Sequence, residues 1–106
     1  MGYAQNDDNT LQANVHSNGD NPMLIHIRFN NPTQKMAKVS IRNPKNNLLY
    51  SKWTTIRQAN LKLDIEHMPS GIYTITIHNK NTKIVKHVEI KSLYTREEKR
   101  IAMLDW

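Results

Sequence analysis

The stretch Leu61–Ile77, LKLDIEHMPSGIYTITI, decides the fold. It holds two alternating runs around one tight corner. In the first run Leu61, Leu63 and Ile65 point one way, and Lys62, Asp64 and Glu66 the other. In the second, Tyr73, Ile75 and Ile77 share one face, and Thr74, Thr76 and His78 share the opposite one. A period of two over this length predicts strands with one buried face. His67-Met68-Pro69-Ser70-Gly71 between them is the corner, because proline presets φ and glycine tolerates φ > 0.

The same alternation recurs on the N-terminal side. Met23, Ile25, Ile27 and Phe29 are expected inward, with His26 and Arg28 outward. Ala37, Val39 and Ile41 oppose Lys38, Ser40 and Arg42. Thr10 to His16 offers Leu11, Ala13 and Val15 for a first, edge strand. Leu48 to Trp53 is a strand whose inner face is open, since Leu48 with Tyr50 or Leu49 with Trp53 would each serve. Thr54 to Ala59 reads as a loop or short crossover. Lys83 to Lys91 closes the sheet, but Val85 is out of phase with Val88 and Ile90. A bulge near Lys86-His87 would repair the phase.

Asn-rich turns separate these runs at roughly the 8–12-residue spacing of a sandwich. The prediction is an all-β, antiparallel Ig-like β-sandwich of about seven strands. In such sandwiches a tyrosine at this corner buries its ring and hydrogen-bonds nearby backbone through its hydroxyl, which makes Pro69, Gly71 and Tyr73 the structural corner. Thr95-Arg96-Glu97-Glu98 has capping-box form, and Ile101 and Leu104 would share a helical face, so a short C-terminal helix is expected. The domain plan is a flexible leader over 1–9, the sandwich over 10–91 and a tail with a short helix over 92–106.

A chain of 106 residues with a mean hydropathy of −0.70 is one domain whose apolar residues are concentrated in the alternating runs. It has no cysteine, so neither disulfides nor thiolate metal sites are available. No run is long and apolar enough for a transmembrane helix. Gly2-Tyr3-Ala4-Gln5 resembles the end of a signal peptide, which suggests an extracytoplasmic protein. Charge is uneven: residues 28–63 carry eight bases and no acid, within a net charge of +6. A basic middle suggests an anionic partner such as acidic glycan, lipopolysaccharide or nucleic acid. The plainer account of the same lysines is solubility and protection of strand edges.

Enzyme constellations are lacking. His16, His26, His67, His78 and His87 show no metal-ligand spacing, and a zinc site would need His26 and His78 on neighbouring strands. Asp64 and Glu66 share a solvated strand face, a poor setting for splitting carboxylate pKa values. No Gly-x-Ser-x-Gly elbow and no glycine-rich phosphate loop occur. Catalytic, cofactor and metal residues are therefore none. Phe29, Tyr50 and Trp53 beside the basic run would suit single-stranded nucleic acid, but no nucleic-acid signature is present and Phe29 belongs to a buried phase.

From Val15 to Ile90 the chain resembles the C-terminal sorting domain of the Bacteroidetes type IX secretion system. Met68-Pro69-Ser70-Gly71-Ile72-Tyr73 is similar to that family's Leu-Pro-Ala-Gly-Ile-Tyr segment. Tyr73–Ile77 and Val85–Lys91 resemble its last two strands, and Ala37–Ile41 with Leu48–Tyr50 its central hairpin. Val15-His16-Ser17-Asn18-Gly19 stands where the family has Val-Tyr-Pro-Asn-Pro, and some fifteen residues follow Lys91. The resemblance implies a small Ig-like module without catalysis, read by an outer-membrane translocon and cut from its cargo by a sortase. The expected role is an extracytoplasmic sorting module, secreted or outer-membrane-associated, with secretion or cell-surface proteins as partners. The alternatives are a free-standing cell-surface binding domain for protein or acidic glycan, and a basic nucleic-acid binder. The candidate recognition surface is Arg28, Lys38, Arg42, Lys52, Lys83, Lys86 and Lys91.

Overall fold

A computed structural model describes residues 10–21, 23–94 and 98–104. The expected leader over 1–9 lies outside them. The chain forms β1 (Gln12–Ser17), β2 (Leu24–Asn30), β3 (Ala37–Arg42), β4 (Leu48–Thr54), β5 (Gln58–Asp64), β6 (Gly71–His78), β7 (Lys83–Tyr94) and β8 (Glu98–Leu104). These make two antiparallel sheets, one ordered β1-β2-β5 and the other β4-β3-β6-β7-β8. Among the described residues there is no helix, and so none long and apolar enough to cross a membrane.

The inner faces are the alternating residues read from the sequence. Ile25, Ile27 and Phe29 of β2 enter the same buried cluster as Val39 and Ile41 of β3, Tyr73, Ile75 and Ile77 of β6, and Val88 and Ile90 of β7. Register assembles them in rows: Val39 stands opposite Ile77, and Ile77 opposite Ile84. Burying each such Ile or Val contributes about 1.5–3 kcal/mol against the cost of ordering the chain.

The corner joins the two sheets, since β5 lies in one and β6 in the other. Tyr73 is 1% exposed, and its hydroxyl donates to the Pro69 carbonyl at 2.6 Å. Gly71 sits at φ +138°, a region that L side chains avoid. A Cβ there would also meet Pro44 Cβ at 2.9 Å, and Pro44 Cγ still closer. Glycine is thus required twice, by backbone geometry and by the approach of the β3–β4 turn.

The structure differs from the sequence reading at three places and settles a fourth that the sequence leaves open. The expected C-terminal helix is absent, because residues 98–104 form β8 and pair with Val88–Tyr94 of β7. A helix of about nine residues is marginal alone, whereas strand pairing satisfies the backbone and seats Ala102 and Leu104 on the core opposite Ile90 and Val88. That pairing brings the strand count to eight. Second, no bulge interrupts β7, whose register against β6 is continuous from Lys83 to Ile90. Its inward phase is Ile84, Lys86, Val88 and Ile90, while Val85 is 40% exposed. Lys86 breaks the pattern where, among the described residues, β7 pairs with β8 only from Val88 onward, and an inward-pointing charge is one way an edge is protected. The register shift instead lies in the β3–β4 pair, where Ile41 opposes Tyr50, Arg42 opposes Leu48, and Leu49 is the extra residue. Third, β5 begins at Gln58, inside the segment expected to be a loop. Fourth, β4 turns Tyr50 inward against the core and leaves Trp53 outside.

Two outcomes check this packing. Ile77→Ala is expected to cost about 2–5 kcal/mol in urea unfolding, and Val85→Ala to stay within about 0.5 kcal/mol. A large loss at Val85 would reinstate the bulge. Gly71→Ala is expected to cost more than about 1 kcal/mol. Combining it with Pro44→Ala relieves the Cγ contact and should show a coupling of at least about 0.5 kcal/mol, whereas strict additivity would remove Pro44 from the corner.

Candidate recognition surfaces

The outer face of the five-stranded sheet collects basic and aromatic side chains in register. Trp53 of β4 stands opposite Lys38 of β3, Lys38 opposite His78 of β6, and His78 opposite Lys83 of β7. The Lys38 ammonium lies 5.5 Å from the Trp53 ring centroid, and the His78 ring meets Trp53 edge-on at 5.8 Å. A cation over an exposed indole contributes about 0.5–1 kcal/mol. The tryptophan is thereby fixed on the surface although it is 54% exposed. Arg42 lies on the same face and donates to the Asn46 carbonyl of the adjoining turn at 3.1 Å. Lys91 sits 4.0 Å from the Glu89 carboxylate, an exposed pair that contributes little to stability. Ile72 and Val85 add exposed apolar surface.

Of the seven cationic residues expected to form one recognition surface, Lys38, Arg42, Lys83 and Lys91 share this face. Lys52 lies on edge strand β4 in the inner phase, opposite Val39. Lys86 also takes the inner phase, opposite Ile75. Arg28 is on the other sheet altogether. The stacking platform weighed for nucleic acid is not assembled either. Phe29 is buried, Tyr50 packs on the core, and only Trp53 of the three faces outward. His26 and His78 lie on different sheets, so they cannot share an ion. Among the described residues no group of three His, Cys, Asp or Glu is placed to hold a metal.

The three-stranded sheet carries a second, different outer face. Asn14, Arg28 and Asn60 form one row across β1, β2 and β5, and Gln12, Asn30 and Gln58 form the next. They line an open concavity of about 590 Å³. One row further, the His16 and His26 rings stack at 5.3 Å with an interplanar angle of 10°. The Asn18 amide donates to His26 Nε2 at 3.1 Å, and His26 Nδ1 donates to Asn60 Oδ1 at 3.3 Å, which fits one neutral tautomer. Asn18 Oδ1 meanwhile accepts from the backbone N–H of Asp20 at 2.8 Å, so the turn before β2 holds the imidazole in place. The sequence reading missed this face. Asn and Gln read as turn residues, and Gln58 falls in the segment expected to be a loop. The signal that could have found it is the two-residue spacing within Gln12-x-Asn14, Arg28-x-Asn30 and Gln58-x-Asn60.

Comparison with known proteins gives one finding. The family model described as "Secretion system C-terminal sorting domain" matches residues 21–91, from the turn before β2 into β7, which is more than half of the chain. No curated protein and no solved structure matches. The matched segment includes the Pro69–Tyr73 corner, the β3–β4 hairpin and the β6–β7 pair, the features on which the resemblance to type IX sorting domains rested, and the chain belongs to the secretion system C-terminal sorting domain family.

Proposed function

We propose that this chain is a non-enzymatic sorting module that directs protein to the cell surface or the extracellular space through the type IX secretion system. The observation that carries the reading is the family match over residues 21–91, which takes in the corner, the β3–β4 hairpin and the β6–β7 pair. Strand order supports an Ig-like reading of the sandwich. The order β1-β2-β5 corresponds to strands A, B and E, and β4-β3-β6-β7 to strands C′, C, F and G, with Tyr73 at the start of F. The module acts by being bound. Its partner is secretion machinery at the outer membrane, and the surface offered is the outer face of the five-stranded sheet.

The row Trp53–Lys38–His78–Lys83 suits that task for a physical reason. Exposed aromatic surface next to cations combines desolvation with electrostatic steering, the pattern of binding hot spots. Ser40 with Thr76, and then Thr74, occupy the adjoining rows with small side chains compatible with strand geometry. A catalytic group would instead need a desolvated setting.

The test fuses the whole chain behind an exported reporter in a host with type IX secretion. The reporter is expected at the cell surface or in the medium. Trp53→Ala with Lys38→Glu, both on the outer face, is expected to hold it in the periplasm while leaving the unfolding midpoint nearly unchanged. A wild-type fusion that stays in the periplasm would contradict the sorting reading. Normal delivery of the double variant would exclude this face as the docking surface.

A further inference from the structure

We infer that the outer face of the three-stranded sheet is a binding site for an oligosaccharide bearing carboxylates. The site is independent of the sorting reading, because it lies on the opposite sheet from the face proposed to meet the secretion machinery.

The first observation is the identity and register of the lining. Arg28 stands between Asn14 and Asn60, and the adjacent row is Gln12, Asn30 and Gln58. Asn is depleted in strands because its amide competes for local backbone. Three Asn at neighbouring outward positions on three strands, beside two Gln, therefore run against local preference. The outward positions of β3 and β6 show the ordinary choice instead, with Ser40, Thr74 and Thr76. A local rule broken in one coherent patch points to a site.

The second observation is unspent hydrogen-bonding capacity. Among the described residues, the side chains of Gln12, Asn14, Arg28 and Gln58 make no hydrogen bond or ion pair. Asn30 Oδ1 is buried with no partner among them. Each primary amide can donate and accept at once, which matches the vicinal hydroxyls of a sugar.

Charge selects the ligand further. Arg28, the middle residue of its row, lines the concavity, and a guanidinium fork binds a carboxylate through two parallel hydrogen bonds. Lys62, opposite His26 one row away, adds a second cation. The lining itself contains no acid. A nucleic acid would require stacking rings and more cations. An extended peptide would add to a strand edge, whereas this concavity lies on the sheet face.

The test titrates the full chain with tri-galacturonate and with neutral maltotriose at physiological salt, following amide shifts by NMR. Saturable binding of tri-galacturonate is expected, with the largest shifts at Asn14, Arg28 and Asn60 and much weaker binding of maltotriose. Arg28→Gln should weaken tri-galacturonate at least about tenfold, since it removes a bidentate charge-assisted contact. Gln58→Ala should weaken it by a smaller factor. Lys83→Gln, on the other sheet, should leave it unchanged. No saturable binding would overturn the inference, as would equal affinity for maltotriose or equal weakening by Lys83→Gln. The measurement needs no secretion host, so its failure is distinct from failure of the sorting assay.

Discussion

The hydrogen bond from the Tyr73 hydroxyl to the Pro69 carbonyl is the constraint on which the rest of the structure depends. The chain leaves the small sheet at Asp64 and enters the large one at Gly71. Only here does β5 hand over to β6, and the crossing angle decides whether Ile75 and Ile77 meet the residues of β2 across the core. Two short backbone bonds begin the turn, Ile65 N–H to the Met23 carbonyl and Met68 N–H to the Ile65 carbonyl. The tyrosine completes it from the far side. Its ring fills the core, and its hydroxyl ties the strand back to the corner four residues earlier. Gly71 beneath Pro44 then lets the β3–β4 turn close over the same point. A hydrophobic core alone tolerates many arrangements, and this polar tie selects one of them.

The two outer faces follow from the same alternation that builds the core. Once the inward phase of each strand is fixed, the outward residues fall into register without further information. On the larger sheet they yield lysines, an arginine and an exposed tryptophan over a bed of hydroxyl residues. On the smaller sheet they yield amides about one arginine. Sequence neighbours such as Arg28 and Lys38 thus end on opposite sides of the molecule. A basic run in the sequence is not a basic patch in space, which is why only four of the seven expected cations share a face.

Strands with both a clean alternation and a strong turn were legible in the sequence. These were β2, β3, β6 and the corner, where burial repeats every second residue and Pro or Gly has a single conformational reading. The difficulties arose where one residue served two masters. Lys86 occupies an inward position among apolar residues, so the phase of β7 reads as a slip. Thr95-x-x-Glu98 with Ile101 and Leu104 has helical spacing, and pairing with the edge of β7 overrides it. Gln58 and Asn60 read as loop because amides favour turns. Their place on β5 is set by pairing with Asn30 and Arg28, contacts that local sequence does not encode. The family resemblance is unaffected, because it rests on the corner and the strands beside it.

Urea unfolding of Tyr73→Phe tests the central claim most directly. The substitution keeps the ring in the core and removes only the oxygen. Pro69 then loses its partner in a partly buried setting, so a loss of about 1–3 kcal/mol with an unchanged denaturant slope is predicted. A variant as stable as the wild type would contradict the account, for the crossing between the sheets would then be held by something other than this bond.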